Sequence, residues 1–426
     1  MEKSSPELVG ISSSRLNRIN KLITSYLDAN KIPGAISLVA RRNKLVHCEC
    51  YGKMDIDTNK HMQLDTIFRM YSMTKPVTTV AMMMLYEQGY FQLDTPVSAF
   101  IPGFKDLEVF KSGTVENYTT VKPQRKMIIA DLLSHTSGLT YDFMNTSPVD
   151  ALYRVAGIQG SHAEGTLQDL VDKLARMPLL FSPGTRWNYS LSSEVVAYLV
   201  QTISGIRFDE FVKKYIAQPL EMVDTDFYVP QEKHDRFAAN YTHIDLVPAN
   251  QKAHFSHYLS AGTGADGAPP LILIDNPKTG RFSSPRTFYS GGGGLVATAQ
   301  DYLNFLQMLL NKGNFKGHQL LSPKTVDLMT TNHLPGDLES LSMPGFSETS
   351  LAGIGFGLGF AVMLDPAKAQ ILGTPGEYNW GGGANTMFLV DPKEELIAMF
   401  LTQLLPSTAY AIRREFRVAV YQAIVA

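Results

Sequence analysis

Ser72 and Lys75 stand three residues apart in the run YSMTKPVTTVAMMMLYEQG. On a helix that spacing puts both side chains on one face of a single turn. A serine hydroxyl is a weak nucleophile until a neighbouring base takes its proton, and an amine one turn away is such a neighbour. The residues that follow are apolar nearly all round, among them Val77, Val80, Ala81, Met82, Met83, Met84 and Leu85. A helix of that character is buried. The polar pair therefore opens a buried helix, whose N-terminus offers N–H groups and the positive end of its dipole. Such donors suit the oxyanion formed when a nucleophile attacks a carbonyl. S-x-x-K alone is a weak signal, since a chain of this length holds on the order of one by chance. A capping serine and a snorkelling lysine leave the same trace.

Other segments add to the pair. LLSHTSGL runs from Leu132 to Leu139, and FSPGTRWNYSLSS carries Tyr189, Ser190 and Leu191. GGGGLVATAQDYLNFLQMLL starts at Gly291, and NWGGGANTMFLVDP carries Trp380, Gly381, Gly382 and Gly383. S-M-T-K opening a buried helix resembles the first motif of the β-lactamases and penicillin-binding proteins. In order and character the whole set resembles the family VIII carboxylesterases, which share the class C β-lactamase fold. The resemblance covers nearly the whole chain apart from residues 229–290. It implies an α+β fold of the β-lactamase/transpeptidase type, with an antiparallel sheet flanked by helices and an inserted, mainly helical domain. It implies a catalytic set of Ser72, Lys75 and Tyr189. It places an oxyanion hole at the backbone N–H groups of Ser72 and Gly383, and substrate contacts at Trp380, Gly381 and Gly382. No cofactor or metal is implied. Tyr141 follows HTSGL closely, either reaching the pocket or packing as an ordinary aromatic.

The second family motif is Tyr-x-Asn, and here Leu191 stands at its third position. Tyr-Ser-Leu resembles the esterase branch more than the lactamase branch. A free phenol has a pKa of about 10, and a nearby ammonium favours the phenolate. Tyr189 thus takes the Ser72 proton while Lys75 tunes it, or Lys75 is itself the direct base. The third motif is usually Lys-Thr-Gly, which Lys278, Thr279 and Gly280 spell literally. Those residues sit between prolines in NPKTGRFSSPR, without strand character. Trp380-Gly381-Gly382 has the family's setting instead, because two strand-like runs and a final helix follow it. Tryptophan offers an apolar face and one N–H donor but no cation. That exchange favours neutral esters over anionic β-lactams.

Several tempting features are read as structural. Gly292 to Ala297 matches G-x-G-x-x-A, but no clear strand precedes it and no Walker lysine follows. His135 lacks a G-x-S-x-G serine partner and reads as a histidine ending a helix. Cys48 and Cys50 are the only cysteines. They are too close for a comfortable disulfide, and no CxxC or HExxH accompanies them.

These side chains need elements to position them. Leu16, Ile19, Leu22, Ile23, Tyr26 and Leu27 have helical spacing over residues 13–30. AISLVA and KLVHCECYG, separated by Arg41-Arg42-Asn43, predict a β-hairpin. FGLGFAVML, TMFLVD and LIAMFLTQL predict strands, and a helix follows from about Ala409. Both chain ends thus feed one sheet. KMIIADLLSHTSGL, TLQDLVDKLARM, SSEVVAYLVQTI and FDEFVKKYIAQPL predict helices between them. The expected division is an α/β sheet domain from 1–88 and 289–426, with 89–288 inserted. Residues 229–290 are polar and nearly without period, as in a cap or an interface.

Composition sets the outer bounds. The chain has 426 residues, 44% hydrophobic and 18% charged, with a net charge of −2. That is ordinary for a soluble enzyme and gives no electrostatic case for nucleic acid or an anionic membrane. MEKSSPELVG lacks the apolar core of a secretory signal, which predicts a cytoplasmic protein. The expected activity is hydrolysis of short-chain or small aromatic esters through a Ser72 acyl-enzyme, with a small-molecule ester as the only partner. Acyl transfer to another acceptor, and β-lactam or D-amino-acid amide hydrolysis, are enzymatic alternatives on the same site. A catalytically inactive penicillin-binding-like scaffold or sensor is the alternative from another class. Oligomeric state is not legible.

Overall fold

The computed structural model describes residues 1–160, 163–246, 270–342 and 351–426. Helix α1, Arg18–Asp28, forms where Ile19, Ile23 and Tyr26 recur on one face, and all three are buried. Strands β1, Gly34–Arg41, and β2, Lys44–Asp55, make the expected hairpin. Arg42 and Asn43 between them both have positive φ, 50° and 57°. A two-residue turn of that hand matches the twist of the strands it joins. Strand β3, Ile67–Arg69, leads into helix α2, Thr74–Glu87, which is buried along almost its whole length.

The middle of the chain is less helical than its sequence suggests. Only Ile129–Leu133 of KMIIADLLSHTSGL is α-helix. His135 at φ 57° and Gly138 at φ 84° turn the backbone out of it. Leu167–Leu174 and helix α3, Ser192–Ser204, form as expected. FDEFVKKYIAQPL is α-helical over Phe208–Val212 and then widens into a π turn over Lys213–Ala217. Val109–Gly113 and Tyr118–Val121 pair as a hairpin in the same region. Strands β4, Asn240–His243, and β5, Leu271–Asp275, pair antiparallel, and Leu404–Leu405 joins β4 in parallel. Parts of the polar 229–290 segment therefore make a small sheet. Four- and five-residue strands are too short to impose a visible period. The rest of that segment's reading, over 247–269, lies outside the described residues.

Strand β6, Val296–Thr298, pairs with β3 and opens helix α4, Ala299–Leu310. FGLGFAVML is two strands, not one: β7, Ile354–Phe356, and β8, Ala361–Met363, with Gly359 at φ 84° in the turn. Strands β9, Tyr378–Gly381, β10, Met387–Asp391, and β11, Leu396–Thr402, follow, then helix α5, Ile412–Tyr421. The main sheet runs β2-β1-β11-β10-β9-β8-β7, each neighbour antiparallel. Glu2–Lys3 adds a parallel pair on β2, so the sheet is mixed at that edge. The two ends of the chain meet where β1 pairs with β11, from Ala35–Thr402 to Arg41–Leu396.

Helices cover both faces of this sheet. On one, Ile19 and Ile23 of α1 and Phe416 and Val420 of α5 pack with Phe400 of β11. On the other, Met82 of α2, Val196 of α3 and Phe305 of α4 share a core with Phe388 and Met399. This is the β-lactamase/transpeptidase-like arrangement. No helix among the described residues is long and apolar enough to cross a membrane. The two cysteine thiols are free and half-buried on β2, and burial raises that of Cys50 to about 11.

Arg69 ties the small sheet to the turn that carries Ser72. Its side chain is fully buried. Nε donates to Asp275 Oδ2 at 3.0 Å, Nη1 to the Ala238 carbonyl at 2.5 Å, and the guanidinium lies 4.0 Å from the Phe237 ring centroid. Arg69→Met is expected to strand the Asp275 carboxylate and cost on the order of 3 kcal/mol. Urea unfolding followed by circular dichroism measures it, and an unchanged midpoint would contradict the assignment.

Candidate active site

Ser72 lies in a 3-10 turn, Tyr71–Met73, immediately ahead of α2. The sequence expectation put it inside the first helical turn, but the helix proper begins at Thr74. The difference traces to Tyr71, whose φ of 45° is left-handed. A bulky residue rarely adopts that conformation, which costs roughly 1–2 kcal/mol. Surrounding contacts hold it there. Tyr71 Oη accepts from Asn240 Nδ2 at 2.9 Å, and its ring meets Phe282 edge-on at 6.2 Å. On either side, Met70 N–H donates to the Leu295 carbonyl at 2.9 Å and Tyr302 Oη donates to the Met73 carbonyl at 2.8 Å.

Ser72 Oγ receives two contacts. Tyr189 Oη donates to it at 2.5 Å and Lys75 Nζ at 3.2 Å. Lys75 is only 2% exposed. Its Nζ also donates to the Gly292 carbonyl at 2.8 Å and stands 4.5 Å from the Tyr189 ring centroid. The structure thus brings together the three residues read as catalytic. Tyr141 is buried beside them, 5.1 Å from the Tyr189 ring, with Lys75 Nζ 5.6 Å from its own. Burial, then the neighbouring Tyr189 and Glu194 oxygens, push its phenol well above the usual range. Tyr141 is therefore a neutral aromatic wall at ordinary pH.

The loop that carries Tyr189 is held by the HTSGL segment. Asn188 N–H donates to the His135 carbonyl at 2.9 Å, Asn188 Nδ2 to the Leu139 carbonyl at 3.1 Å, and Leu191 N–H to the Thr140 carbonyl at 3.2 Å. The His135 ring lies 5.1 Å from that of Tyr189, with Nδ1 3.2 Å from Ser190 Oγ. Burial, with the Lys75 charge adding, keeps its imidazole neutral far below the usual range. His135 makes no contact with Ser72; it packs under the tyrosine.

The opposite wall comes from β9 and the turn after it. The Trp380 ring is 5.7 Å from that of Tyr189 and meets Phe356 edge-on at 5.4 Å. Gly382 N–H donates to the Thr386 carbonyl at 2.8 Å. A Cβ on Gly382 would fall 2.4 Å from the Met70 carbonyl oxygen, and one on Gly381 2.5 Å from Arg413 Nη1. Only glycine lets this turn lie against the residue two before Ser72. Among the described residues, the Ser72 and Gly383 amides donate to no protein acceptor. Lys278 is elsewhere, exposed on a turn with Nζ 3.7 Å from Asp235.

Two features of the site escaped the sequence. Glu194 of α3 is fully buried, and its Oε1 accepts from Ser290 Oγ at 2.6 Å. Burial raises its carboxyl, while Ser290 and Lys75 pull it back. A lone acid in a run of serines and valines, five residues after Tyr189, was the available signal. The part the glycine run plays in packing is the second. Gly291 and Gly292 offer their carbonyls to Thr78 and Lys75, and a Cβ on Gly292 would fall 2.7 Å from Glu194 Oε1. These glycines serve close helix packing around an ammonium. Among the described residues no group of His, Cys, Asp and Glu could hold a metal. The assembled groups can activate a hydroxyl and hold it against an apolar wall.

The Beta-lactamase family model matches residues 19–423. An uncharacterized protein of Mycobacterium tuberculosis is 33% identical over 388 residues, covering 90% of this chain and 89% of that one. Esterase EstB of Burkholderia gladioli is 28% identical over 406 residues, covering 94% of this chain and 92% of that one. Among solved structures, EstCE1, a hydrolase with promiscuous acyltransferase activity, superposes with a TM-score of 0.77. It is 26% identical, covering 97% of this chain and 99% of that one.

Gly382→Ala is expected to push the turn away from Met70 and lower kcat about 100-fold, since misplacement of about 1 Å has that effect. Stopped or steady-state assays on any turned-over ester would read it. A variant with wild-type kcat would show that the close approach is not needed.

Proposed function

The chain belongs to the Beta-lactamase family, and on that premise we propose that it hydrolyses short-chain or small aromatic carboxylic esters through an acyl-enzyme on Ser72. The observation that carries the reading is the convergence of Tyr189 and Lys75 on Ser72 Oγ, at 2.5 and 3.2 Å, opposite a tryptophan. The similarity to Esterase EstB supports the ester as substrate. In the reacting form Tyr189 is the phenolate: Ser72 Oγ attacks the carbonyl carbon as that phenolate takes its proton, and the Lys75 ammonium balances the charge between the two oxygens. The Ser72 and Gly383 amides receive the oxyanion. The tetrahedral intermediate collapses, and the alcohol leaves with the proton that Tyr189 returns. Water then attacks the acyl-enzyme, releasing the carboxylic acid and restoring Ser72.

Acyl transfer is the second reading, because the same acyl-enzyme can be resolved by an alcohol in place of water. The structural similarity to EstCE1, whose description includes promiscuous acyltransferase activity, favours it. Product analysis with an added alcohol separates the two outcomes.

p-Nitrophenyl acetate and butyrate test the main reading. Ser72→Ala is expected to lose at least about 10³-fold in kcat. Tyr189→Phe and Lys75→Arg are each expected to lose about 10²-fold or more, with altered pH profiles. Near-normal kcat in Tyr189→Phe would transfer the base role to Lys75. Absence of any Ser72-dependent ester turnover would favour a binding protein, and nitrocefin turnover exceeding that of the esters would favour a lactamase.

A further inference from the structure

A cavity of about 440 Å³ adjoins the nucleophile's turn. Tyr71, the residue before Ser72, lines it on one side. Leu405 lines it on another, and a Cδ of that leucine lies 3.3 Å from where a Gly383 Cβ would stand. The cavity therefore lies one residue from Ser72 and one side chain from Gly383. A substrate carbonyl at Ser72 can send one arm into it.

The lining is chemically uneven. Asp275 is neutralised by Arg69, with both of its oxygens 3.0 Å from the guanidinium. Arg281, on the same lining, has no such partner. Among the described residues it forms no ion pair, and its one hydrogen bond runs from Nη2 to the Ala163 carbonyl at 3.2 Å. A guanidinium carries five N–H donors. Burial, with the Arg286 charge adding, lowers its pKa to about 10, so it stays charged at neutral pH. A partly desolvated cation with unspent donors favours an anion that can take two parallel N–H bonds. Asn240 supplies an independent sign of a ligand. It is fully buried, lines the same cavity, and its Oδ1 has no hydrogen-bond partner among the described residues. That oxygen suits a hydroxyl or amide donor on the same ligand.

We propose that Arg281 forms a carboxylate-binding subsite beside Ser72, so that the enzyme selects esters that carry a second, ionised carboxyl group. The proposal rests on the esterase reading above. Trp380 removes the cation that the third motif usually supplies; Arg281 brings one in from β5's side of the cleft. Arg281 acts on substrate affinity and takes no part in proton transfer.

Two matched pairs of esters test it. p-Nitrophenyl hydrogen glutarate against p-nitrophenyl butyrate places the carboxylate on the acyl arm. 3-Acetoxybenzoate against 3-acetoxybenzamide places it on the alcohol arm. Arg281→Met is expected to raise KM about 30-fold for the charged member of at least one pair, with kcat and the neutral member little changed. Arg281→Lys is expected to recover part of the loss. Equal effects on charged and neutral esters in both pairs would overturn the subsite. Calorimetric binding of glutarate and of 3-hydroxybenzoate to Ser72→Ala, with and without Arg281→Met, reads the subsite without turnover. Binding that depends on Arg281 in a protein that hydrolyses no ester would sink the esterase reading and keep the subsite. Ester turnover that depends on Ser72, with no Arg281 dependence in any assay, would do the reverse.

Discussion

Lys75 is an ammonium held at 2% exposure, and burying such a charge costs several kcal/mol unless its surroundings answer it. Much of the molecule around it is that answer. The Gly292 carbonyl accepts one N–H, Ser72 Oγ accepts another, and the ring of Tyr189 lies against the cation. Glu194 adds an acidic group from α3. These groups come from three separate stretches of chain. The same charge that must be accommodated is the charge that can hold a proton-poor oxygen beside Ser72. Stability and chemistry therefore make opposite demands on one atom, and a close-packed, glycine-lined pocket is what lets both be met.

That pocket depends on how the chain ends meet. Pairing of β1 with β11 joins the first and last thirds of the sequence into one sheet. Helix α2 then lies on a face that already presents Phe388 and Met399, and Tyr302 Oη from α4 fixes Met73. Gln403, just past β11, binds both the amide and the carbonyl of Arg69. The turn at Ser72 is thus pinned from three directions. This over-determination is what holds Tyr71 in a left-handed conformation against its own preference.

The site around Ser72 and the cavity next to it differ in polarity. Trp380 and Phe356 on one wall and Tyr189 and Tyr141 on the other make the site aromatic. Tyr71, Asn240 and Arg281 line the cavity beside it, with a cation and an orphaned acceptor.

Much of this was legible in the residues. The hairpin at Arg42-Asn43, the buried helix after Ser72, the strands near the C-terminus and the terminal helices all follow from local period and turn chemistry, which act over a few neighbouring residues. Tyr189 and the Trp380 glycine run were legible through resemblance, because their local strings are distinctive. Where local period is weak the reading failed. KMIIADLLSHTSGL is mostly not helix because His135 and Gly138 take positive φ, and β4 and β5 are too short to alternate visibly. Glu194, Ser290 and Gly292 carry no signal of shared purpose, since nothing in a linear string says that α3 and the glycine run converge on Lys75. By itself, then, the sequence determined which elements form and which side chains could do the chemistry, because propensity and motif are local. Only the tertiary structure decided which carboxylate and carbonyl surround Lys75 and which guanidinium lines the neighbouring cavity, because burial and charge pairing are properties of distance in space.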